Sequence, residues 1–275
     1  MQGIIIKSAG SSLISAVLLL VIGIFFSTTS YAKTLRVASD IWCPYICDQV
    51  DKKGILVDIL QLIAKDQNIT LQIEIMPLSR SLKLTAQQHF DVVLALTPAH
   101  LANYKLKSSV EMYGGTYNDF YMLENNNWSF STIEQLQDYL KSGHVLGLIQ
   151  GYEYSEELDK LTVDFKEHVY QATGETPLKN VVTMLKLGRV DIVLGSRFNV
   201  EYELNELGLS NVKRVGTESQ LTPLYLGYAP NVDDALIKSI DQGLIKLRAS
   251  GTFDTILAKY GMPDWRLDNS LTSKP

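Results

Sequence analysis

The chain has 275 residues, 46% of them hydrophobic and 20% charged, with a formal net charge of −5. That length supports one large domain or two modest lobes with an ample core. A mildly acidic, mixed-charge chain carries no basic footprint for nucleic acid or an anionic membrane surface, which sets those partners aside.

Residues 1–32 read as a secretory signal peptide. Lys7 supplies a positive start, residues 13–26 form a nearly unbroken apolar core, and Ser30 and Ala32 are the small residues a signal peptidase requires. The apolar run is shorter than the roughly 20 residues of a bilayer span, so an uncleaved anchor is the weaker alternative. No cysteine stands at the exit, which argues against a bacterial lipid anchor. Cleavage is expected after Ala32, leaving a periplasmic chain that begins at Lys33. No later apolar run is long enough to span a membrane.

The only cysteines are Cys43 and Cys47. In an oxidising compartment this spacing favours one small disulfide loop, stiffened by Pro44. Free thiols are the alternative. The C-x3-C spacing does not match a thioredoxin-type C-x2-C, and a metal site would need ligands beyond the nearby Asp48 and Asp51. No metal and no cofactor are expected.

Along the chain, residues 35–39 read as a buried strand ending at Asp40, followed by an aromatic turn. Residues 55–67 carry apolar side chains at helical spacing, with Asn68 as a stop signal. Residues 70–76 alternate as a strand, Pro77 ends it, and Ser79 is a candidate cap for a helix to about Gln88. Residues 90–96 are a near-continuous apolar run, as a strand covered on both faces demands. Residues 105–123 are rich in Tyr and Gly and read as extended. The polar run Glu124-Asn125-Asn126-Asn127 then suggests a boundary between lobes.

The alternation restarts with a helix capped at Ser131, a strand at 144–150, a helix near 153–160, and a strand at 168–172. A helix at 175–187, a strand at 190–195, a helix to Glu206 and a strand at 211–216 follow. Residues 224–228 are extended again, and two amphipathic helices close the chain at 233–248 and 251–260. This pattern predicts an α/β fold of two lobes, each a mainly parallel sheet flanked by helices, joined by two hinge crossovers. The expected boundaries are lobe 1 at 33–122 and 223–275 and lobe 2 at 123–222. An apolar strand with an aspartate near its start recurs at Phe90-Asp91-Val92 and Val190-Asp191-Ile192, without amounting to a repeat.

The segment Arg248-Ala249-Ser250-Gly251-Thr252-Phe253-Asp254, continuing through Tyr260-Gly261, resembles the C-terminal signature of bacterial extracellular solute-binding proteins of family 3. Gly54-Ile55-Leu56-Val57-Asp58 resembles that family's first helix, and Leu187-Gly188-Arg189-Val190-Asp191 its second-lobe strand entry. The resemblance spans essentially residues 33–265. It implies a ligand held between two lobes, closure on binding, and delivery to an ABC importer, usually of amino acids.

Two features of the family's ligand site do not carry over. The arginine that usually holds the ligand carboxylate falls on His100, Leu101 or Asn103, and no arginine occurs between Arg80 and Arg189. The acid that usually meets the α-ammonium falls near Ser196. Arg80 and Arg197 are the candidate substitutes for the missing clamp.

The candidate ligand contacts follow from placement at strand ends and helix starts. Asp40, Trp42 and Tyr45 follow the first strand, where aromatic rings can stack on a solute. Arg80 lies in the first turn of a helix, where its charge opposes the macrodipole. Thr97 ends the third strand, with His100 close behind. Gly151, Tyr152 and Glu153 begin a helix after a strand, a place where backbone N–H groups bind anions and glycine permits close approach. Thr176 begins the next helix, and Ser196 and Arg197 end the following strand. The tyrosines at 113, 117, 225 and 228 read as hinge packing.

The expectation is a monomeric binding protein for a small polar solute, partnered by a membrane permease. A sensor component on the same fold is the alternative. An enzyme is the least favoured class. The chain lacks a G-x-S-x-G elbow, an H-E-x-x-H motif and a phosphate loop, and its four histidines are dispersed. A dehydratase-like use of cleft carboxylates such as Asp40 and Glu153 stays as the enzymatic alternative.

Overall fold

The structure is a computed structural model that describes residues 33–150, 152, 154–174, 176–218 and 220–266. The expected signal peptide lies outside the described residues. Among the described residues no helix is long and apolar enough to cross a membrane.

The first sheet is built on β1 (Lys33–Ser39), β2 (Ile69–Ile75), β3 (Val92–Leu96), β4 (Lys107–Ser108), β5 (Gly114–Thr116) and β11 (Thr222–Tyr228). Its order is β2-β1-β3-β11-β4, with β5 also paired to β11. The second sheet uses β6 (Asn118–Leu123), β7 (Leu146–Ile149), β8 (Val169–Ala172), β9 (Ile192–Ser196) and β10 (Val212–Thr217), in the order β10-β6-β9-β7-β8. β1 and β3 are parallel, as are β7 with β8 and β7 with β9. The returning strands β11, β6 and β10 add antiparallel pairs, so each sheet is mixed.

The central strands sit where their composition requires. Val92, Val93, Leu94 and Leu96 are buried, and so are Ile192, Val193 and Leu194. Such runs survive only with both faces covered. The two aspartates ahead of them do the same job. Asp91 accepts the backbone N–H of Arg36 at 2.7 Å, and Asp191 accepts that of Val145 at 2.8 Å. Each carboxylate ties the entry of a central strand to its parallel neighbour.

Helices α1 (Ile55–Asp66), α2 (Leu78–Ala86) and α3 (Pro98–Tyr104) belong to the first half, and α4 (Ile133–Lys141), α5 (Glu156–Asp164), α6 (Pro177–Lys186) and α7 (Arg197–Glu206) to the second. The chain ends in α8 (Asp234–Ala249) and α9 (Thr252–Lys259). α1 buries Ile55, Leu56, Ile59, Leu60 and Ile63 on the face its spacing predicts. Helix α3 was not expected from the sequence. Thr97 caps it, Pro98 occupies its first turn, and His100 completes a capping box with Thr97. The expected caps shift by one or two residues elsewhere: α2 begins after Pro77 rather than Ser79, and α4 is capped by Thr132 rather than Ser131.

The chain passes from the first sheet to the second at Tyr117, between β5 and β6. β6, which the expected boundary at 122/123 groups with the first lobe, pairs instead with β9 and β10. The run 124–127 is a turn within the second half, because its polar residues follow a strand end rather than a change of sheet. The return passes through 218–221 to β11.

Cys43 and Cys47 are disulfide-bonded, and the loop they close sits on the N-terminus of α1. The first N–H groups of a helix have no partner inside it. Here Ile55 donates to the Pro44 carbonyl at 2.9 Å and Leu56 to the Tyr45 carbonyl at 3.0 Å. Gly54 makes the approach possible. Its φ is 107°, and a Cβ there would lie 2.4 Å from the Tyr45 carbonyl oxygen and 2.6 Å from the Ile46 Cα. Gly54→Ala is therefore expected to cost more than about 2 kcal/mol, since backbone strain and a backbone clash coincide. Urea denaturation of the variant measures this.

Candidate functional site

A cavity of about 390 Å³ lies where the two sheets meet. Asp40 and Trp42 reach it from the end of β1, and Thr97, Pro98, Ala99 and His100 from the end of β3 and the start of α3. Tyr152, Tyr154 and Ser155 line it from the segment between β7 and α5, and Ser196 from the end of β9. Thr116 and Asn118 flank the outward crossover, while Glu218 and Thr222 flank the return. The carboxyl ends of β1, β3, β7 and β9 thus point to one place, the usual ligand position of open α/β sheets.

Several expected residues meet here: Asp40, Trp42, Thr97, His100, Tyr152 and Ser196. Others do not. Tyr45 is fully buried, stacks on Trp42 at 5.0 Å, and donates its hydroxyl to the Gly115 carbonyl at 2.5 Å. Arg80 is exposed in the first turn of α2 and Thr176 is exposed at the cap of α6; neither lines the cavity. Gly151 and Glu153 lie outside the described residues. The helix expected to start there begins at Glu156, because Ser155 caps it by accepting the Leu158 N–H at 3.2 Å.

Arg197 is the largest correction. It is buried and does not line the cavity. Its Nε donates to Asp119 at 2.5 Å, its second nitrogen reaches the other Asp119 oxygen at 3.2 Å, and its guanidinium lies 4.2 Å from the centre of the Tyr117 ring. Arg214 meets the same carboxylate at 3.3 Å. The arginine braces the crossover rather than a ligand.

Glu218 was missed because it follows an edge strand that the sequence leaves without a distinguishing motif. Its Oε1 accepts the Ser155 N–H at 2.9 Å and its Oε2 the Asn118 amide at 3.4 Å. This carboxylate sits beside a helix N-terminus, where the macrodipole favours negative charge. Asn118, Thr116 and Tyr154 were missed for a related reason: they reach the cavity only once the chain crosses between sheets.

Asp40 has no cationic partner among the described residues. Burial pushes its carboxyl up to about 6, offset in part by its own backbone N–H. Tyr152 is pushed up first by burial and then by the Asp40 charge, while a hydrogen bond from Trp42 works the other way. Ser196 is engaged on both sides, with Thr116 Oγ1 at 2.5 Å and with Asn199 Oδ1. His100 Nδ1 lies 3.3 Å from the Thr97 backbone nitrogen and 3.1 Å from its hydroxyl.

The family model for bacterial extracellular solute-binding proteins, family 3, matches residues 35–263. The chain belongs to this family. Among solved structures of similar fold is an ancestral arginine-binding protein bound to arginine, 20% identical, with a TM-score of 0.68 over 84% of this chain and 100% of that one. A histidine kinase sensor domain with similarity to periplasmic binding proteins is 16% identical, with a TM-score of 0.66 over 83% of this chain and 96% of that one. A curated relative is the membrane-bound lytic murein transglycosylase F of Ectopseudomonas mendocina (strain ymp), 22% identical over 113 residues. The match covers 41% of this chain and 23% of that relative's length. As a family 3 solute-binding protein, this chain has two carboxylates and no arginine or lysine among the described residues that line its cavity.

Two measurements follow from the site's electrostatics. The raised Asp40 carboxyl makes the ionised form a burden on the folded state, absent at low pH and fully present above pH 6. Asp40→Asn is expected to stabilise the ligand-free protein by about 1–3 kcal/mol at pH 7.5, roughly 3–8 °C in Tm, with the gain shrinking towards pH 4. Calorimetric scans at the two pH values test this. Asp119→Ala removes the carboxylate from the buried Arg197 guanidinium and is expected to cost about 3–5 kcal/mol in urea denaturation.

Proposed function

We propose that this chain is a periplasmic solute-binding protein that captures a small polar solute in its inter-sheet cavity and delivers it to an ABC-type importer in the inner membrane. The observation that carries the reading is the cavity itself. It is sized for a small molecule, combines aromatic rings with a few polar groups, and draws its walls from both sheets. A solute held there touches Asp40 and Trp42 on one side and Tyr152 and Glu218 on the other. Such a ligand favours the closed arrangement by its extra contacts in that state. The two crossovers, at Tyr117 and at residues 218–221, are the hinge in this reading, with the lobes divided there. The protein acts as a monomer.

No turnover is assigned. The Ser196 hydroxyl at the end of β9 is bonded to Thr116 and Asn199 rather than to a base. A sensory role has one observation in its favour, the likeness to a histidine kinase sensor domain. In that reading the closed form presents itself to a membrane receptor instead of a permease.

Native mass spectrometry of the protein isolated from the periplasm, before and after denaturation, tests the capture step. The expected result is a small molecule released on unfolding, and the same molecule quenching or enhancing the fluorescence of wild type but not of Trp42→Phe. An empty protein that binds none of the solutes taken up by the cell overturns the reading. Loss of uptake of that solute in a deletion strain supports import; unchanged uptake with altered gene expression supports the sensor.

A further inference from the structure

We propose that the solute is an organic cation, an amine or guanidine on an apolar body, without the free carboxylate of an α-amino acid. The inference rests on the cavity being the solute site. Its walls supply what an ammonium needs. Asp40 and Glu218 bring two carboxylates from opposite sheets, and Trp42, Tyr152 and Tyr154 add three aromatic side chains to the lining, a residue type whose ring face attracts cations. A primary ammonium has three donors to distribute and no acceptor to satisfy.

The same walls are hostile to a carboxylate. No arginine or lysine lines the cavity among the described residues. The internal positions outside the description are Gly151, Glu153, Glu175 and Ser219, none of them cationic. The one arginine next to the site, Arg197, is bound to Asp119 and lies beneath the crossover. Backbone donors are scarce too. Helix N-termini commonly hold anions, but at α3 and α5, whose starts line this cavity, several of the first donors are engaged. At α3, Pro98 has no N–H, and the N–H groups of Thr97 and His100 are held in the capping box, which leaves Ala99. At α5, the Ser155 N–H goes to Glu218 and the Leu158 N–H to Ser155, and the first turn carries Glu156, Glu157 and Asp159. A desolvated carboxylate placed here would meet two like charges and no arginine or lysine among the described residues, only neutral donors such as the Thr97 and Tyr152 hydroxyls.

The test compares matched pairs that differ only by the carboxylate: agmatine with arginine, cadaverine with lysine, and tyramine with tyrosine. Binding to the mature chain is read by isothermal titration calorimetry at pH 7.5. The expected result is an amine that binds at least about tenfold tighter than its amino acid in one pair or more. Asp40→Asn and Glu218→Gln are each expected to weaken that amine by about tenfold or more, the loss of one charge-assisted hydrogen bond, while Asp40→Asn retains a wild-type or higher Tm. Amino acids that match or exceed their amines in every pair, or variants that bind the amine normally, overturn the proposal. A neutral or anionic molecule released from the periplasmic protein also overturns it, and leaves the binding-protein reading standing. No released molecule and no binding by any of the six compounds overturns the cation assignment and counts against the binding-protein reading as well.

Discussion

Asp119 is fully buried and faces two guanidinium groups, and much of the site follows from that arrangement. Burying a carboxylate is costly, and here Arg197 and Arg214 offset the cost by pairing with it. Arg197 in turn covers the ring of Tyr117, the residue at which the chain changes sheets, and its backbone N–H donates to the Tyr117 carbonyl at 2.8 Å. The crossover is thereby pinned at a single point. The same pairing holds Arg197 away from the cavity, whose lining does not include it. One ion pair therefore both sets where the sheets join and leaves the cavity acidic.

The opposite rim is organised by a different local constraint. Gly54 lets the disulfide loop lie against the start of α1, so that loop carbonyls complete the helix's open N–H groups. This holds Tyr45 in the core with its hydroxyl on Gly115, and it turns the stacked Trp42 ring towards the cavity. The loop also reaches across to the other half: Asn199 of α7 donates to the Cys43 carbonyl at 2.7 Å, and the same Asn199 accepts from Ser196 at the cavity wall. The aromatic face of the site is thus tied to a cap, a core tyrosine and the far sheet at once.

Much of this was legible in the sequence where the signal is local. The runs at 90–96 and 190–195 read as buried strands because short, near-continuous apolar runs suit a strand covered on both faces. The helices at 55–66 and 234–249 read from spacing, whereas the short helix at 98–104, which starts at Thr97 and Pro98, was not expected. The strand-end rule picked out Asp40, Trp42, Thr97, His100, Tyr152 and Ser196, which line the cavity. It failed for Arg197, which also follows a strand end, because a side chain's direction depends on what lies beside it. Asp119, 78 positions away in sequence, lies beside it.

The sequence by itself determined the family, the α/β alternation and the absence of the usual arginine between Arg80 and Arg189. These depend on residue identity and on spacing within one element, which periodicity and motif order carry directly. The tertiary structure alone decided that the sheets exchange chain at Tyr117, that Arg80 faces solvent, and that Glu218 joins Asp40 in one cavity. Each is a pairing between residues far apart in the chain, set by which strands hydrogen-bond and which buried charges must find partners. No local pattern encodes such a pairing, because its energy exists only once the two sheets have met.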